Sequence, residues 1–166
     1  LSNYLDRPWG RADVYSIQKL AAVLQARPKT PNFTFSAVRA LPPAAMNGAE
    51  VTLIANLIND GSPPEEAVSA TMSLPAVFNV VPNSLVIDPA IGNGAQNGNT
   101  ITWSGMFPES GRVTFSVRAL VNTQVGTPTL HEINLLVQPP AQDLIQKRSI
   151  FIANPRQVFL GQVSRQ

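Results

Sequence analysis

The feature that most constrains this chain is a two-residue alternation of apolar and polar side chains, repeated in short runs between residues 33 and 138. Successive side chains of an extended strand point to opposite faces, so such runs make strands that are packed on one side and wet on the other. In FTFSAV (33–38), Phe33 and Phe35 fall on one face and Thr34 and Ser36 on the other. In VTLIANLIND (51–60), Val51, Leu53, Ala55 and Leu57 oppose Thr52, Ile54, Asn56 and Ile58. Val68, Ala70, Met72 and Leu74 oppose Ser69, Thr71 and Ser73. Further runs are SLVID (84–88), TITWS (100–104), GRVTFSVRAL (111–120) and HEINLLVQ (131–138). The inward sets Val113, Phe115, Val117 and Ile133, Leu135, Val137 are the strongest. Turn signals separate the runs: LPPAAMNGAE at 41–50, DGSPPEE at 60–66 and IGNGAQNGN at 91–99, the last expected to be a flexible connection. Pro139-Pro140 is expected to end the body, and SIFIA (149–153) offers one further strand.

About seven short strands with almost no helix between them predict an all-β protein, an immunoglobulin-like antiparallel β-sandwich over residues 31–140. The one expected helix precedes it. Residues 13–26 place Val14, Ile17, Leu20 or Ala21, and Leu24 on one stripe, with Asp13 as N-cap and Pro28 as the stop. Residues 1–30 therefore read as an N-terminal helical attachment and 141–166 as a C-terminal extension.

Charge separates along the same lines. Residues 1–29 carry five basic residues against Asp6 and Asp13, a net +3. The body from 30 to 140 holds only Arg39, Arg112 and Arg118 against seven carboxylates, a net −4. Residues 141–166 return to +3. A nucleic-acid interface needs basic residues clustered on the folded body with aromatics among them, which this pattern does not offer. No run approaches the ~20 apolar residues that span a bilayer. The chain opens at Leu1 without an initiator methionine or a signal peptide, as expected of a processed form or an excised piece.

Chemistry is sparse. With no cysteine in 166 residues there is no disulfide, thiolate metal site or cysteine nucleophile, and a single histidine excludes a multi-histidine centre. A hydrolase triad would have to join His131 and Asp143 to a serine, yet no G-x-S-x-G elbow is present. His131 reads as a surface residue. The Gly/Asn-rich 91–99 stretch has only Asp88 nearby as a carboxylate, too little for calcium. Asn32-Phe33-Thr34 fits a glycosylation sequon, which matters only in a eukaryotic secretory host. A sugar platform needs exposed aromatics; Trp103 shares the face of Ile101 and reads as core, leaving Trp9 as the surface aromatic. Only Lys19, Lys29 and Lys147 are present, so no lysine crosslink can span the 49–138 body. No catalytic residue, cofactor or metal site is expected.

Four stretches resemble the DUF11-type immunoglobulin-like repeat of bacterial and archaeal cell-surface and secreted proteins. They are AEVTLIANLINDGSPPEEAVSATMSLPAVF (49–78), NGNTITWSG (97–105), MFPESGRVTFSVRA (106–119) and VGTPTLHEINLLV (125–137). Glu109-Ser110-Gly111 replaces the repeat's usual Pro-Gly step, and His131-Glu132 replaces its small polar residues. Residues 10–24 are similar to the second half of a dockerin-type calcium repeat. Its ligand positions, however, fall on Leu5, Arg7, Trp9 and Ser16, and Asp13 alone cannot supply the roughly six to eight oxygens calcium takes.

The resemblance implies a non-catalytic spacer, stalk or assembly module of an extracellular or cell-surface protein. Its partners would be neighbouring domains or copies of itself, met through Trp9, Arg7, Arg11, Lys19, Arg148 and Arg156. Two alternatives stand beside it: a virion coat or decoration protein assembling through basic arms, and an accessory domain of a secreted hydrolase.

Overall fold

The structure, a computed structural model, describes residues 30–108, 111–124 and 127–155. Among them every regular element is a strand, and the strands form two sheets. The first sheet runs β1 (Ala37–Leu41), β3 (Glu50–Ile58), β9 (Arg112–Val121), β5 (Phe78–Val80), with β6 (Val86–Asp88) also paired to β9. The second runs β2 (Ala44–Ala45), β11 (Ile145–Ala153), β10 (Thr129–Gln138), β4 (Val68–Ser73), β8 (Thr100–Gly105), β7 (Asn93–Asn97). All pairings are antiparallel except β2 with β11.

The core lies between the sheets and is filled by the inward sets that the alternation marks. Val51, Leu53, Ala55 and Leu57 of β3 are buried, as are Val68, Ala70 and Met72 of β4. Val113, Phe115 and Val117 of β9 and Ile133, Leu135 and Val137 of β10 complete it. Trp103 is 1% exposed, and its indole N–H donates to the Ile91 carbonyl at 2.9 Å, so the polar atom of this core side chain is satisfied. Phe107 links it to Phe33 through two edge-to-face contacts, with ring centroids 6.1 and 5.0 Å apart.

Three expectations change. Phe33 and Phe35 do not share a face: Phe33 is fully buried and Phe35 is 64% exposed. Asn32 Oδ1 accepts the Thr34 N–H and the Phe33 carbonyl accepts the Ser36 N–H, which makes 33–36 a turn and starts β1 only at Ala37. Second, the 91–99 stretch is not merely a connection, because Asn93–Asn97 pair with β8. The hairpin closes on Gly98, whose positive φ of 54° suits the first position of a tight turn. Third, Pro139-Pro140 does not end the sheet. β11 pairs with β10 from Thr129↔Ala153 to Val137↔Ile145, so Ile145–Ala153 of the expected C-terminal extension is a strand of the second sheet. Lys147 consequently sits in a strand, where its Nζ donates to the Thr34 carbonyl. The N-terminal helix expected at 13–26 lies outside the described residues.

Strand directions define two poles. β1 and β11 both begin at the pole formed by the 58–68, 105–112 and 138–145 connections. Both end at the opposite pole, beside the 45–50 and 121–129 connections. At the first pole, a β-carbon on Gly61 would overlap the Thr30 carbonyl oxygen and stand 2.8 Å from the Asn32 nitrogen. The backbone on both sides of that contact is fixed by the hydrogen bonds Asp60 N–H to Asn32 O and Ser62 N–H to Thr30 O. Gly61→Ala is therefore expected to cost about 1–3 kcal/mol, read as a lowered thermal midpoint. An unchanged midpoint would show this approach to be slack.

Candidate functional site

The constellation a hydrolase would need is not assembled. His131 lies near the start of β10, half-buried on its inward side, with its Nε2 2.8 Å from Thr129 Oγ1. Asp143 sits in the connection past the far end of the same strand, so at about 3.4 Å per residue more than 20 Å of strand separates the two. His131 is thus an anchored strand-end residue and not a free surface side chain. Among the described residues no group of three or more His, Asp or Glu is placed to hold a metal ion. No helix among them is long and apolar enough to cross a membrane.

What the fold does present is two outer faces of different character. The outward positions of the five-stranded sheet carry all three arginines of the body, Arg39, Arg112 and Arg118, all exposed. Arg118 meets Glu50 at 3.4 Å, and Asp88 lies on the same side. The outer face of the six-stranded sheet is nearly uncharged. Among the described residues its only charged pair is Arg148 with Glu132, 3.5 Å apart and mutually neutralised. Of the six residues expected from sequence to form an interaction surface, Arg148 is therefore found as half of an exposed ion pair. Trp9, Arg7, Arg11, Lys19 and Arg156 lie outside the described residues.

Register makes the uncharged face regular. Ser69, Thr71 and Ser73 of β4 stand opposite Ser104, Thr102 and Thr100 of β8, which stand opposite Asn93, Ala95 and Asn97 of β7. Strands lie about 4.8 Å apart and same-face residues about 6.8 Å apart, so these nine short side chains form a grid of eight hydroxyls and amides around the methyl group of Ala95. The grid is bordered on β10 by Asn134, Leu136 and Gln138; further along, at the Glu132–Arg148 pair and beyond it, Leu130, Ile150 and Ile152 of β10 and β11 are 71%, 52% and 37% exposed, with Leu130 directly opposite Ile152. The grid was legible as the wet half of each alternation. The apolar strip was not, because Ile150 and Ile152 flank the buried Phe151 and erase the alternation there.

Two open grooves lie at the first pole. The larger, about 740 Å³, is lined by Phe33, Gln142 and Ile145 among others, and the smaller, about 410 Å³, by Pro31, Pro63 and Glu66 among others. A hydrogen bond from Gln142 Nε2 to the Pro31 carbonyl, 3.1 Å, ties the two sides of the larger one. No cluster of acid, base and nucleophile lines either.

No protein-family model and no curated protein sequence matches the chain. Solved structures do match in fold. The collagen-binding subdomain of the Enterococcus faecalis surface protein ACE superposes with a TM-score of 0.50 at 9% identity, over 75% of this chain and 99% of that one. The collagen-binding domain of a Staphylococcus aureus adhesin gives the same four values. BcpA, the major pilin subunit of Bacillus cereus, gives a TM-score of 0.55 at 14% identity over 76% of this chain. The match takes in 40% of BcpA, so the chain spans well under half of that pilin. At such identities what is shared is the fold: an immunoglobulin-like β-sandwich of the kind these adhesin and pilin domains adopt.

Proposed function

We propose that this chain is a non-catalytic structural and interaction module of a bacterial cell-surface protein, joined in series with neighbouring domains and meeting a protein partner on its six-stranded face. The observation that carries the proposal is the contrast between its two outer faces. One is charged. The other is nearly uncharged and exposes an apolar patch at one end, and interface cores are depleted in charge in the same way. Adhesin and pilin domains of the same fold support the surface location. They also make collagen the first ligand to try, since two of those domains bind it. The DUF11-type resemblance agrees with this placement. The virion alternative gains no observation of its own.

The proposal predicts where a partner is lost. With the full chain immobilised and triple-helical collagen, other matrix proteins and the chain itself passed over it, Thr102→Arg should abolish the binding found. A bulky charge in the centre of the grid both blocks contact and must be desolvated. Arg112→Ser, on the opposite face, should leave it within about twofold, as surface changes outside an interface usually do. Equal loss in both variants, or binding that survives Thr102→Arg, would remove the face assigned here.

A further inference from the structure

Where the chain enters and leaves the sandwich has a mechanical consequence. It enters at Thr30, at the first pole, and leaves at Pro155, at the opposite one. β1 and β11, the first and last strands, run in the same direction between those poles. A pull on the two ends therefore draws β1 toward the first pole and β11 toward the second, each along its own axis. The hydrogen bonds of the five β1–β3 register pairs and the nine β10–β11 register pairs are then loaded together, sideways, instead of opening one after another.

Both exits are also tied down by a buried asparagine. At the first pole Asn59 Oδ1 accepts the N–H groups of Asn32 (2.8 Å) and Gly61 (3.1 Å), while its Nδ2 donates to the Ser62 carbonyl at 2.8 Å. At the second, Asn154 Oδ1 accepts the Asn47 N–H at 2.9 Å and its Nδ2 donates to the Gln124 carbonyl at 2.6 Å. The Asn154 N–H itself donates to the Ala45 carbonyl at 2.9 Å. Asn59 is 6% and Asn154 3% exposed, so water has little access to compete for these bonds.

We infer that the sandwich carries tension along its long axis, with its terminal strands loaded in shear and each chain exit clasped by a buried asparagine. This rests on the in-series placement proposed above and adds to it a function that no ligand is needed to reveal.

Single-molecule pulling tests it directly. In one geometry the full chain is held by its two termini. In the other it is held by its N-terminus and by Asp143→Cys, an exposed position at the first pole in a chain with no other cysteine. The second geometry peels strands from one pole. A pair using Gln124→Cys with the C-terminus repeats the comparison at the other pole, should the first substitution perturb folding. At one loading rate, the end-to-end pull is expected to need about twofold or more force, because forced unfolding reports the unfolding barrier and shear raises it. Equal forces, or a lower force end to end, would overturn the inference. The force ratio is read without any partner, so a chain that binds nothing can still show it. A chain that binds through Thr102 but shows equal forces loses only the mechanical role.

Discussion

Phe115→Ala is expected to lower the unfolding free energy by about 3–5 kcal/mol, the usual range when a buried phenylalanine is truncated. Phe115 is fully buried at the centre of β9. That strand is the hub of the five-stranded sheet, paired with β3 on one side and with both β5 and β6 on the other. Its register partners are Ala55 and Ile87, and Ala55, itself only a methyl group, cannot fill the space a missing ring would leave. A loss of this size is a large share of the ~5–15 kcal/mol that holds a typical domain together. Thr102→Ala, outward on β8, should change stability by no more than about 0.5 kcal/mol. Urea denaturation of both variants checks the pair. Equal shifts in midpoint would mean that the two-residue alternation does not divide core from solvent here.

That alternation was readable wherever a strand is packed on one side only. β3, β4, β8, β9 and β10 alternate in burial, and every buried position in them is apolar, although Ile54, Ile58, Leu120 and Leu136 stand at outward positions. The misses have separate physical causes. β7 reads NGAQN and contains no large apolar residue. Its inward positions are Gly94, whose bare Cα lets the Ile87 and Leu85 side chains come close, and Gln96, whose Nε2 donates to the Val81 carbonyl at 3.0 Å. β2 is two residues held parallel to the end of β11, a pairing no local pattern announces. At 33–36 the alternation was present but misleading, because Asn32 caps a turn and reverses the side on which Phe35 emerges.

The candidate sites were less legible than the fold. The neutral face follows from polar residues the sequence already showed, but its grid depends on register between β4, β8 and β7. Arg148 was marked for an interaction surface on its charge alone, and the fold pairs that charge with Glu132. Asn59 fell at the end of the alternating run 51–60 and did not stand out there, since its work is done by a side chain reaching backbone 27 residues away.

The second large effect concerns that asparagine. Asn59→Ala would leave the Asn32 and Gly61 N–H groups without their shared acceptor, in a place from which solvent is largely excluded. Each buried polar group stripped of its partner costs about 1–3 kcal/mol, so a total near 3 kcal/mol is expected by chemical denaturation. Asn59→Asp separates the two halves of the amide. A carboxylate still accepts from both N–H groups, but it turns an oxygen toward the Ser62 carbonyl in place of the donating Nδ2. Two acceptors facing each other in a site largely closed to solvent repel, and the Ser62 carbonyl loses its donor. Asn59→Asp should therefore be destabilised at neutral pH. The same variant pulled end to end should yield at lower force at pH 7 than the parent. Stability equal to the parent's at pH 7 would show that the amide donor contributes nothing to the clasp at the first pole.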